Sequence, residues 1–332
     1  MTLFLRPLLR FKTRPLQWST FKYFPFKSYS QLNSLDMVQP PKVEPHHLPL
    51  GIAIIAGLGL FIGFNINLIA STKNYDGPPI LNHAAFCSAP VISTASESAD
   101  TCRVRISTDA ARCLPLNAGI VHVIVNDDSC QIARPYTPIS YDSNHIELLV
   151  RRYETGTVSK HIYSLNEGDT LRIRGPLESF PYKINCVKHV SMIAGGTGIA
   201  PMYQLMTKIL SSPNDKTSIQ LIYASKDNQN ILLKKELDQL LKSYPDQLRI
   251  KYLVDRANEP LTPDVQVGFM DEKQLETVLP HTNTKYPFKI LVCGPDGMIR
   301  SIAGPKLSEE KQGPVGGILK HMGYNDTQVF KL

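Results

Sequence analysis

Apolar and polar residues alternate in short runs through the middle of the chain, and this pattern predicts β-strands. TCRVRIS (residues 101–107) alternates strictly, while GIVHVIV (119–125) and HIELLVRRY (145–153) have the length and composition of further strands. Clusters of Asn, Asp and Ser, such as NDDS and YDSN, separate these runs. Short strands with turns at this spacing are typical of a small antiparallel barrel, which we expect over residues 82–186.

The pattern changes after residue 186, where apolar runs alternate with amphipathic segments. The apolar runs of strand length are KHVSMIA (188–194), TSIQLIYA (217–224), LRIKYLV (248–254) and PFKILVC (287–293). Helical spacing is found in IAPMYQLMTKIL (199–210) and ILLKKELDQLLKSY (231–244). Strand–helix alternation predicts a mostly parallel, doubly wound sheet, which we expect over residues 187–332.

The N-terminal region has a different character. Residues 49–70, PLGIAIIAGLGLFIGFNINLIA, carry no charge, and about twenty apolar residues cross a bilayer as a helix. Residues 1–47 hold seven Lys or Arg against two acidic residues, which is typical of a mitochondrial targeting segment; a disordered basic tail is the alternative. We therefore predict one transmembrane helix over residues 49–70 and a linker over residues 71–81. Because the basic N-terminal segment stays in the matrix, the domains that follow the helix are predicted to face the intermembrane space.

Charge and cysteines exclude some classes of function. The chain has a net charge of +7, but residues 48–332 carry only +2 of it, so no nucleic-acid partner is expected. Its six cysteines occur singly, without a C-x-x-C pair. We therefore expect no metal site.

Two glycine-containing loops follow predicted strands of the second region. GGTGIAPM (195–202) lies between a strand and a helix, where glycine lets the backbone approach a pyrophosphate at a helix N-terminus. CGPDGM (293–298) ends a later strand. In a parallel sheet both loops open onto the carboxyl edge, where ligands bind.

The first region contains two further candidate sites. In RPYTPIS (134–140) the prolines stiffen the backbone, and alternate residues starting from Arg134 are predicted to face the same way; a plain edge strand ending in a turn is the alternative. In GTVSKHIYSL (156–165) a glycine turn opens a helix, with Ser159 as a phosphate contact or simply a helix cap. Arg134 and Arg151 are predicted to pair with phosphate charge.

Six motifs together resemble, in order and spacing, the NADH–cytochrome b5 reductase family of flavoproteins: RPYTPIS, VRRY (150–153), GTVS (156–159), RGP (174–176), GGTGIAPM and CGPDGM. The resemblance runs from about residue 82 to the C-terminus. It implies a two-domain, ferredoxin-reductase-like fold, with an antiparallel β-barrel FAD domain over residues 82–186 and an α/β doubly wound NAD(P)-binding domain over residues 187–332. The implied cofactors are FAD and NADH or NADPH.

By position, the resemblance implies cofactor contacts at Arg134, Pro135, Tyr136, Thr137, Ser140, Val150, Arg151, Tyr153, Gly156, Thr157, Val158, Ser159, Gly195, Gly196, Thr197, Gly198, Pro201, Met202, Cys293, Gly294, Pro295, Met298 and Phe330. Thr137 and Cys293 are placed at the catalytic centre, beside the flavin and the nicotinamide. Asn230 stands where the family carries an acidic residue associated with choosing NADH. With Lys226 nearby and no carboxylate expected, the choice between NADH and NADPH stays open.

The C-terminal region adds SIAGPK (301–306) and QGPVGG (312–317) between CGPDGM and the last helix. This insert resembles the fungal cytochrome c mitochondrial import factors, which are inner-membrane flavoproteins that face the intermembrane space. The resemblance implies electron transfer to haem or a cytochrome, in support of haem attachment to cytochrome c, with cytochrome c and its haem lyase as partners. A cytochrome b5 reductase with a haemoprotein acceptor and a non-catalytic FAD-binding assembly factor are the alternatives, and a plain surface loop is the alternative for the insert.

Overall fold

The computed structural model of the chain describes residues 81–109, 119–127, 131–142, 144–258, 263–308 and 311–332. The predicted targeting segment 1–47, the predicted transmembrane helix 49–70 and linker residues 71–80 lie outside these ranges. Within the described ranges no helix is long and apolar enough to cross a membrane. All the described residues belong to one compact unit, Tyr75–Leu332.

The first domain is an antiparallel barrel. Its strands in the described part of the chain are β1 (Cys87–Ser98), β2 (Thr101–Ser107), β3 (Ile120–Asp127), β4 (Ile132–Tyr136), β5 (Pro138–Tyr141), β6 (His145–Arg151) and β7 (Thr170–Phe180). They are ordered β4-β3-β7-β1-β2-β6-β5, and the pairings are antiparallel. The edge strands β4 and β5 are consecutive in the chain and joined by Thr137, so the two edges meet and the sheet closes on itself.

Helix α1 (Thr157–Ser164) covers this barrel. Val158 and Ile162 lie one turn apart on the same helix face, and both are buried in a core that includes Val104 and Leu148. Burying side chains of this kind contributes about 1.5–3 kcal/mol each. This packing holds the N-terminus of α1 in a fixed position on the barrel, and that N-terminus forms part of the candidate site.

The second domain is a parallel sheet between helices. Its described strands are β8 (His189–Gly195), β9 (Ser218–Ser225), β10 (Leu248–Val254), β11 (Val265–Val267), β12 (Phe288–Cys293) and β13 (Val329–Lys331). Its described helices are α2 (Ile199–Ser211), α3 (Lys234–Ser243), α4 (Glu272–Glu276), α5 (Asp296–Ala303) and α6 (Gly317–His321). The strand order is β11-β10-β9-β8-β12-β13, so the direction of winding reverses between β8 and β12. The predicted antiparallel barrel and parallel sheet are both confirmed.

The two domains share a hydrophobic core. Ile139 and Phe180 of the barrel are buried in the same cluster as Met202 of α2. The buried amide of Gln204 on α2 reinforces this contact, because its Oε1 accepts a hydrogen bond from the Val121 N–H at 2.8 Å and its Nε2 donates to the Pro138 carbonyl at 2.9 Å. Helix α2 is therefore fixed to the barrel by both packing and hydrogen bonds.

Two predicted details are wrong. Burial does not alternate along residues 134–140, since Arg134 and Pro135 are both exposed and Pro138 and Ile139 are both buried. The reason is that the chain changes partner at Thr137: β4 pairs with β3, whereas β5 pairs with β6. The side chains before and after Thr137 therefore do not share one alternating pattern of faces.

The second helix of the parallel domain also starts later than its apolar spacing predicts. It begins at Lys234 rather than at residue 231, because Leu233 takes a left-handed conformation with φ of 57°. The Leu233 N–H donates to the Glu97 carboxylate of the barrel at 2.7 Å. A contact with the other domain thus overrides the local helical pattern.

Candidate functional site

The start of helix α1 forms a cradle for an anion. Gly156 is its N-cap residue, and the N–H groups of the next three residues have no acceptor within the helix. These N–H groups and the helix dipole favour a phosphate at this end. A Cβ on Gly156 would lie 2.5 Å from the Ser159 Oγ and 3.1 Å from the Tyr153 Cβ, so a larger residue here would displace the Ser159 hydroxyl.

Ser159 does not have the free hydroxyl that its predicted role requires. Its Oγ accepts a hydrogen bond from the Tyr153 N–H at 3.2 Å and donates to the Gly156 carbonyl at 3.3 Å. The hydroxyl proton is therefore already used to hold the turn together. The phosphate contact at Ser159 stays a prediction, and its backbone N–H is the donor that this arrangement leaves for it.

Strand β4 presents a cation and a phenol near this cradle. Arg134 is exposed, and its Nη1 donates to the Ala133 carbonyl at 2.9 Å, which leaves further donors of the guanidinium for a ligand. Burial raises the pKa of Tyr136 to about 12, and the neighbouring Tyr153 adds to the effect. Tyr136 is therefore neutral at physiological pH and offers a flat, partly buried ring with a hydroxyl donor.

Arg151 connects the barrel to the glycine loop of the second domain. Its Nε contacts Asp100 Oδ1 at 3.2 Å and Thr101 Oγ1 at 3.3 Å. Its Nη1 lies 2.9 Å from the position that a Cβ of Gly196 would occupy. Burial acts to raise the pKa of Asp100, but the hydrogen bond from Thr101 and the charge of Arg151 outweigh it and hold this pKa below its ordinary value. Arg151 is thus held in place by a charged carboxylate.

The two glycine-containing loops meet at the carboxyl edge of the parallel sheet. Cys293 at the end of β12 is the register partner of Ala194 near the end of β8. A Cβ on Gly195 would lie 2.4 Å from the Met298 Sδ. Since the strand order reverses between these two strands, the loops form the crevice in which ligands of such sheets bind.

Cys293 is half-buried at this edge. Burial raises the pKa of its thiol to about 12, and the charge of Lys306 in the insert offsets part of this. The thiol is therefore protonated at neutral pH. A neutral thiol is a poor nucleophile, so its side chain contributes size and shape to the crevice.

Several predicted contact residues lie inside the hydrophobic cores. Val150 and Met202 are 0% exposed and Val158 is 2% exposed. Their side chains pack beneath the site, so a cofactor contact at these three positions falls to the backbone, and the contact itself stays a prediction. Two other predicted contact residues already have partners within the protein. Ser140 donates its hydroxyl to Glu147 Oε2 at 2.9 Å. The half-buried Phe330 packs edge-on against Phe180, with ring centroids 5.0 Å apart.

The remaining predicted residues fall into the two groups described above. The barrel brings together Arg134, Pro135, Tyr136, Thr137, Arg151, Tyr153, Gly156 and Thr157. In the parallel domain, the two glycine-containing loops contribute Gly195, Gly196, Thr197, Gly198, Cys293, Gly294, Pro295 and Met298. Pro201 is buried on α2 beside these loops.

An acidic residue beside Asn230 was missed from the sequence. Asp227 follows β9 and is 4% exposed, and its Oδ1 accepts hydrogen bonds from the Asn230 N–H at 3.0 Å and from Asn230 Nδ2 at 2.7 Å. Its Oδ2 lies 3.7 Å from the exposed Arg256. The expectation that no carboxylate stands here is wrong. The signal was present, since dinucleotide-binding sheets carry an acidic residue after the second strand.

Other parts of the described structure do not add to this site. No group of three or more His, Cys, Asp or Glu within the described ranges is arranged to hold a metal ion. A cleft of about 1000 Å³ lies between β5 and α2, lined by residues that include Tyr141, Tyr182, Lys183 and Tyr203. It shares Ser140 with the predicted site and lies away from both glycine-containing loops.

The donor set suits two phosphate-bearing ligands, one on each domain. On the barrel, Arg134 and the start of α1 supply charge and N–H groups for a diphosphate. On the parallel sheet, the loops after β8 and β12 supply a crevice in which glycine lets the backbone approach a ligand closely. Contact between Arg151 and Gly196 places the two groups side by side.

Comparison with known proteins agrees with this division. Residues 88–182 match the oxidoreductase FAD-binding domain family, and residues 192–304 match the oxidoreductase NAD-binding domain family. The chain is similar to NADH-cytochrome b5 reductase 2 of Emericella nidulans, with 41% identity over 207 residues, which are 62% of this chain and 63% of that protein. It is also similar to NADH-cytochrome b5 reductase 2 of Coccidioides immitis, with 42% identity over 200 residues, 60% of this chain and 61% of that protein.

Both matches therefore span less than two thirds of the relatives' own length. Among solved structures, the cytochrome b5 reductase domain of Ulva prolifera nitrate reductase superposes with a TM-score of 0.65 at 29% identity, covering 76% of this chain and 100% of that one. The whole two-domain body therefore has a counterpart of known structure.

Proposed function

Because this chain belongs to the NADH-cytochrome b5 reductase family and carries FAD-binding and NAD-binding domains, we propose that it is an FAD-dependent oxidoreductase that moves electrons from a nicotinamide dinucleotide to a haem protein. One observation carries the proposal. Arg151 of the barrel reaches Gly196 in the loop after β8, which supports assigning neighbouring ligand sites to the barrel and to the crevice.

The barrel residues fit FAD. Arg134 and the free N–H groups at the start of α1 are suited to its diphosphate, and Tyr136 offers a ring for stacking. When bound, FAD supplies an acceptor for the hydride of a reduced nicotinamide, two electrons and one proton, and returns the electrons singly to two ferric haems while the proton goes to solvent. This chemistry needs no side-chain nucleophile.

The residues of the crevice act by position. Gly198 lets the backbone of one loop lie directly on the other, and Gly195 leaves room for the Met298 side chain. Together they give the nicotinamide end of a dinucleotide a rigid floor. Cys293, protonated and half-buried, limits how deeply a ring can enter. Ring spacing matters because misplacement by about 1 Å can slow a reaction on the order of a hundredfold.

Asp227 favours NADH over NADPH. Its Oδ2 is not used by Asn230, and although the Asp227 side chain is only 6% exposed, we assign this oxygen as the acceptor for the 2′-hydroxyl of an adenosine ribose. A 2′-phosphate at the same place would meet this carboxylate, although the exposed Arg256 3.7 Å away reduces the repulsion. We therefore expect NADH to be preferred, but not exclusively.

For the acceptor, the names of the relatives favour a cytochrome b5 type of haem protein. The role in haem attachment to cytochrome c, which the insert predicts, stays a prediction, as does a non-catalytic assembly role. The test is NADH-dependent reduction of ferric cytochrome b5 and, separately, ferric cytochrome c, followed at their α bands, with dinucleotide omitted as the control. Preferential reduction of cytochrome b5 supports the proposal. Preferential reduction of cytochrome c supports the haem-attachment role, and reduction of neither leaves the assembly role.

We also propose the inner mitochondrial membrane as the location, with the body in the intermembrane space. The support is the charge pattern of residues 1–70. Protease added to mitochondria with a ruptured outer membrane should digest the body, while intact mitochondria protect it. Protection that persists after rupture would place the body in the matrix instead.

A further inference from the structure

A charged cluster away from the cofactor sites joins the two domains. Arg103 on β2 of the barrel donates from Nε to Glu97 Oε2 at 2.5 Å and pairs from Nη2 with Glu236 Oε1 at 2.6 Å. Glu97 belongs to β1 of the barrel, whereas Glu236 belongs to α3 of the parallel domain. One guanidinium therefore bridges two carboxylates that different domains contribute, and we call these three residues the interdomain clamp.

The clamp has a second connection through Glu97. Its other oxygen, Oε1, accepts a hydrogen bond from the Leu233 N–H at 2.7 Å. Leu233 is the N-cap residue of α3 and has a φ of 57°. A carboxylate of the barrel thus lies at the N-terminus of a ten-residue helix of the other domain, where the helix dipole favours negative charge.

The charges around Arg103 are unbalanced. Glu147 of β6 also approaches it, with its Oε1 3.9 Å from Nη1, so among the described side chains three carboxylates surround this guanidinium. The side chains of Glu97, Arg103 and Glu236 are 13%, 22% and 28% exposed. Burial acts to lower the pKa of Arg103, but the hydrogen bonds to Glu97 and Glu236 outweigh it and raise this pKa. Without the guanidinium, carboxylates of the two domains would face each other across the interface.

Backbone connections lead from the clamp to the glycine loop. Next to Leu233, the Leu232 N–H donates to the Tyr223 hydroxyl at 3.2 Å, and this hydroxyl donates to the Gly196 carbonyl at 3.0 Å. The segment that the clamp holds is therefore hydrogen-bonded, through one side chain, to the loop that we assign to the dinucleotide.

We propose that Arg103 is a positioning residue, which locks the parallel domain onto the barrel at the separation that hydride transfer between the two bound ligands needs. Arg103 touches neither predicted ligand site. It acts through Glu236 and Leu233, and its loss relaxes the interface while both sites stay intact. The inference rests on the proposed function, but the lock itself is measurable without catalysis.

The test compares Arg103→Met with Arg103→Lys and with Arg105→Met as the matched control. Arg105 is two residues along the same strand and is exposed, so its loss removes the same charge without touching the clamp. Lysine at position 103 keeps the charge but cannot bridge two carboxylates in fixed geometry. Glu236→Gln, which breaks the bridge from the other side, serves as the second variant if Arg103→Met does not fold.

The first readout is hydrogen exchange of the peptide that contains Leu233, in the FAD-loaded protein without dinucleotide. We expect exchange at least tenfold faster in Arg103→Met, intermediate exchange in Arg103→Lys, and no change in Arg105→Met. Equal exchange in Arg103→Met and Arg105→Met overturns the proposal.

The second readout is anaerobic flavin reduction over a range of NADH concentrations. We expect FAD content and the NADH dissociation constant to be unchanged in Arg103→Met, and the limiting reduction rate to fall at least tenfold, with partial recovery in Arg103→Lys. A limiting rate equal to that of Arg105→Met overturns the positioning role. If NADH does not reduce even the wild-type flavin, the proposed function fails, and the exchange measurement still decides whether the clamp exists.

Discussion

Gly198 lies directly on the backbone of Cys293: a Cβ at Gly198 would be 2.3 Å from the Cys293 carbonyl oxygen and 2.5 Å from its carbonyl carbon. The loop after β8 and the loop after β12 are therefore in van der Waals contact through main-chain atoms. At this point neither loop can shift toward the other, so main-chain atoms fix how closely the two loops approach.

The first prediction concerns this contact. Gly198→Ala places a methyl group where there is no room, so we expect a loss of about 1–3 kcal/mol in unfolding free energy together with weaker dinucleotide binding. Gly297→Ala is the matched control, because a Cβ at this helical glycine meets nothing within 4 Å, and alanine there should stabilise by about 0.5–1 kcal/mol. Chemical denaturation and titration with NAD⁺ measure both. Equal stability of the two variants would contradict the contact.

The second prediction concerns the reactivity of Cys293. Because burial raises the pKa of its thiol to about 12, we expect slow alkylation by iodoacetamide at pH 7.5, compared with fast alkylation of the exposed Cys186. The rate at Cys293 should still be rising at pH 10. Saturating NAD⁺ should slow labelling at Cys293 and leave Cys186 unchanged, as measured by peptide mass spectrometry. Identical labelling with and without NAD⁺ would remove Cys293 from the dinucleotide site.

The third prediction concerns the anchoring of the insert. Lys331 is 1% exposed, and its Nζ donates to the carbonyl oxygens of Pro305 at 2.9 Å, Gly313 at 3.3 Å and Pro314 at 3.0 Å. Lys331→Met removes these bonds, and hydrogen bonds of a charged group contribute about 1.5–3 kcal/mol. We expect a stability loss of that size and faster hydrogen exchange across 305–316. Lys320→Met, on an exposed residue, should change neither; a Lys331→Met variant as stable as this control would show that the bonds contribute nothing.

The fourth prediction concerns the barrel site. Arg134→Ala removes an exposed guanidinium that does little for folding, so the unfolding free energy of the FAD-free protein should change by less than about 0.5 kcal/mol. If Arg134 binds phosphate charge, FAD affinity should fall about tenfold or more. Arg105→Ala, on an exposed arginine of β2, is the matched control. Equal flavin content in the two purified variants would exclude Arg134 from the FAD site.

Local patterns were enough to predict much of the fold. Strict alternation at residues 101–107 predicts β2 with its observed bounds, because a strand that is buried on one face alternates apolar and polar residues. The apolar run at 248–254 predicts β10, because a strand that is buried on both faces is largely apolar. Strand β1 carries no such mark: CSAPVISTASES is dominated by small and polar residues. It forms a strand because β2 and β7 pair with it on either side.

The parts of the site that escaped prediction depend on contacts distant in sequence. Glu97 and Leu233 are far apart in the chain, and no local sequence pattern predicts that the Glu97 carboxylate accepts a hydrogen bond from the Leu233 N–H. Val150 and Met202 were assigned to the cofactor site because they stand inside recognisable motifs. The motif sequence does not reveal that the backbone turns these two side chains into the cores.

The measurement that tests the central claim most directly is anaerobic stopped-flow mixing of the purified, FAD-loaded protein with NADH, followed through the flavin absorbance band. The account predicts that the protein is yellow as isolated, that the band bleaches in a single turnover, and that the rate saturates with NADH because the dinucleotide binds first in the crevice beside Cys293. A protein that binds no FAD, or a flavin band that NADH and NADPH both leave unchanged, would contradict the account.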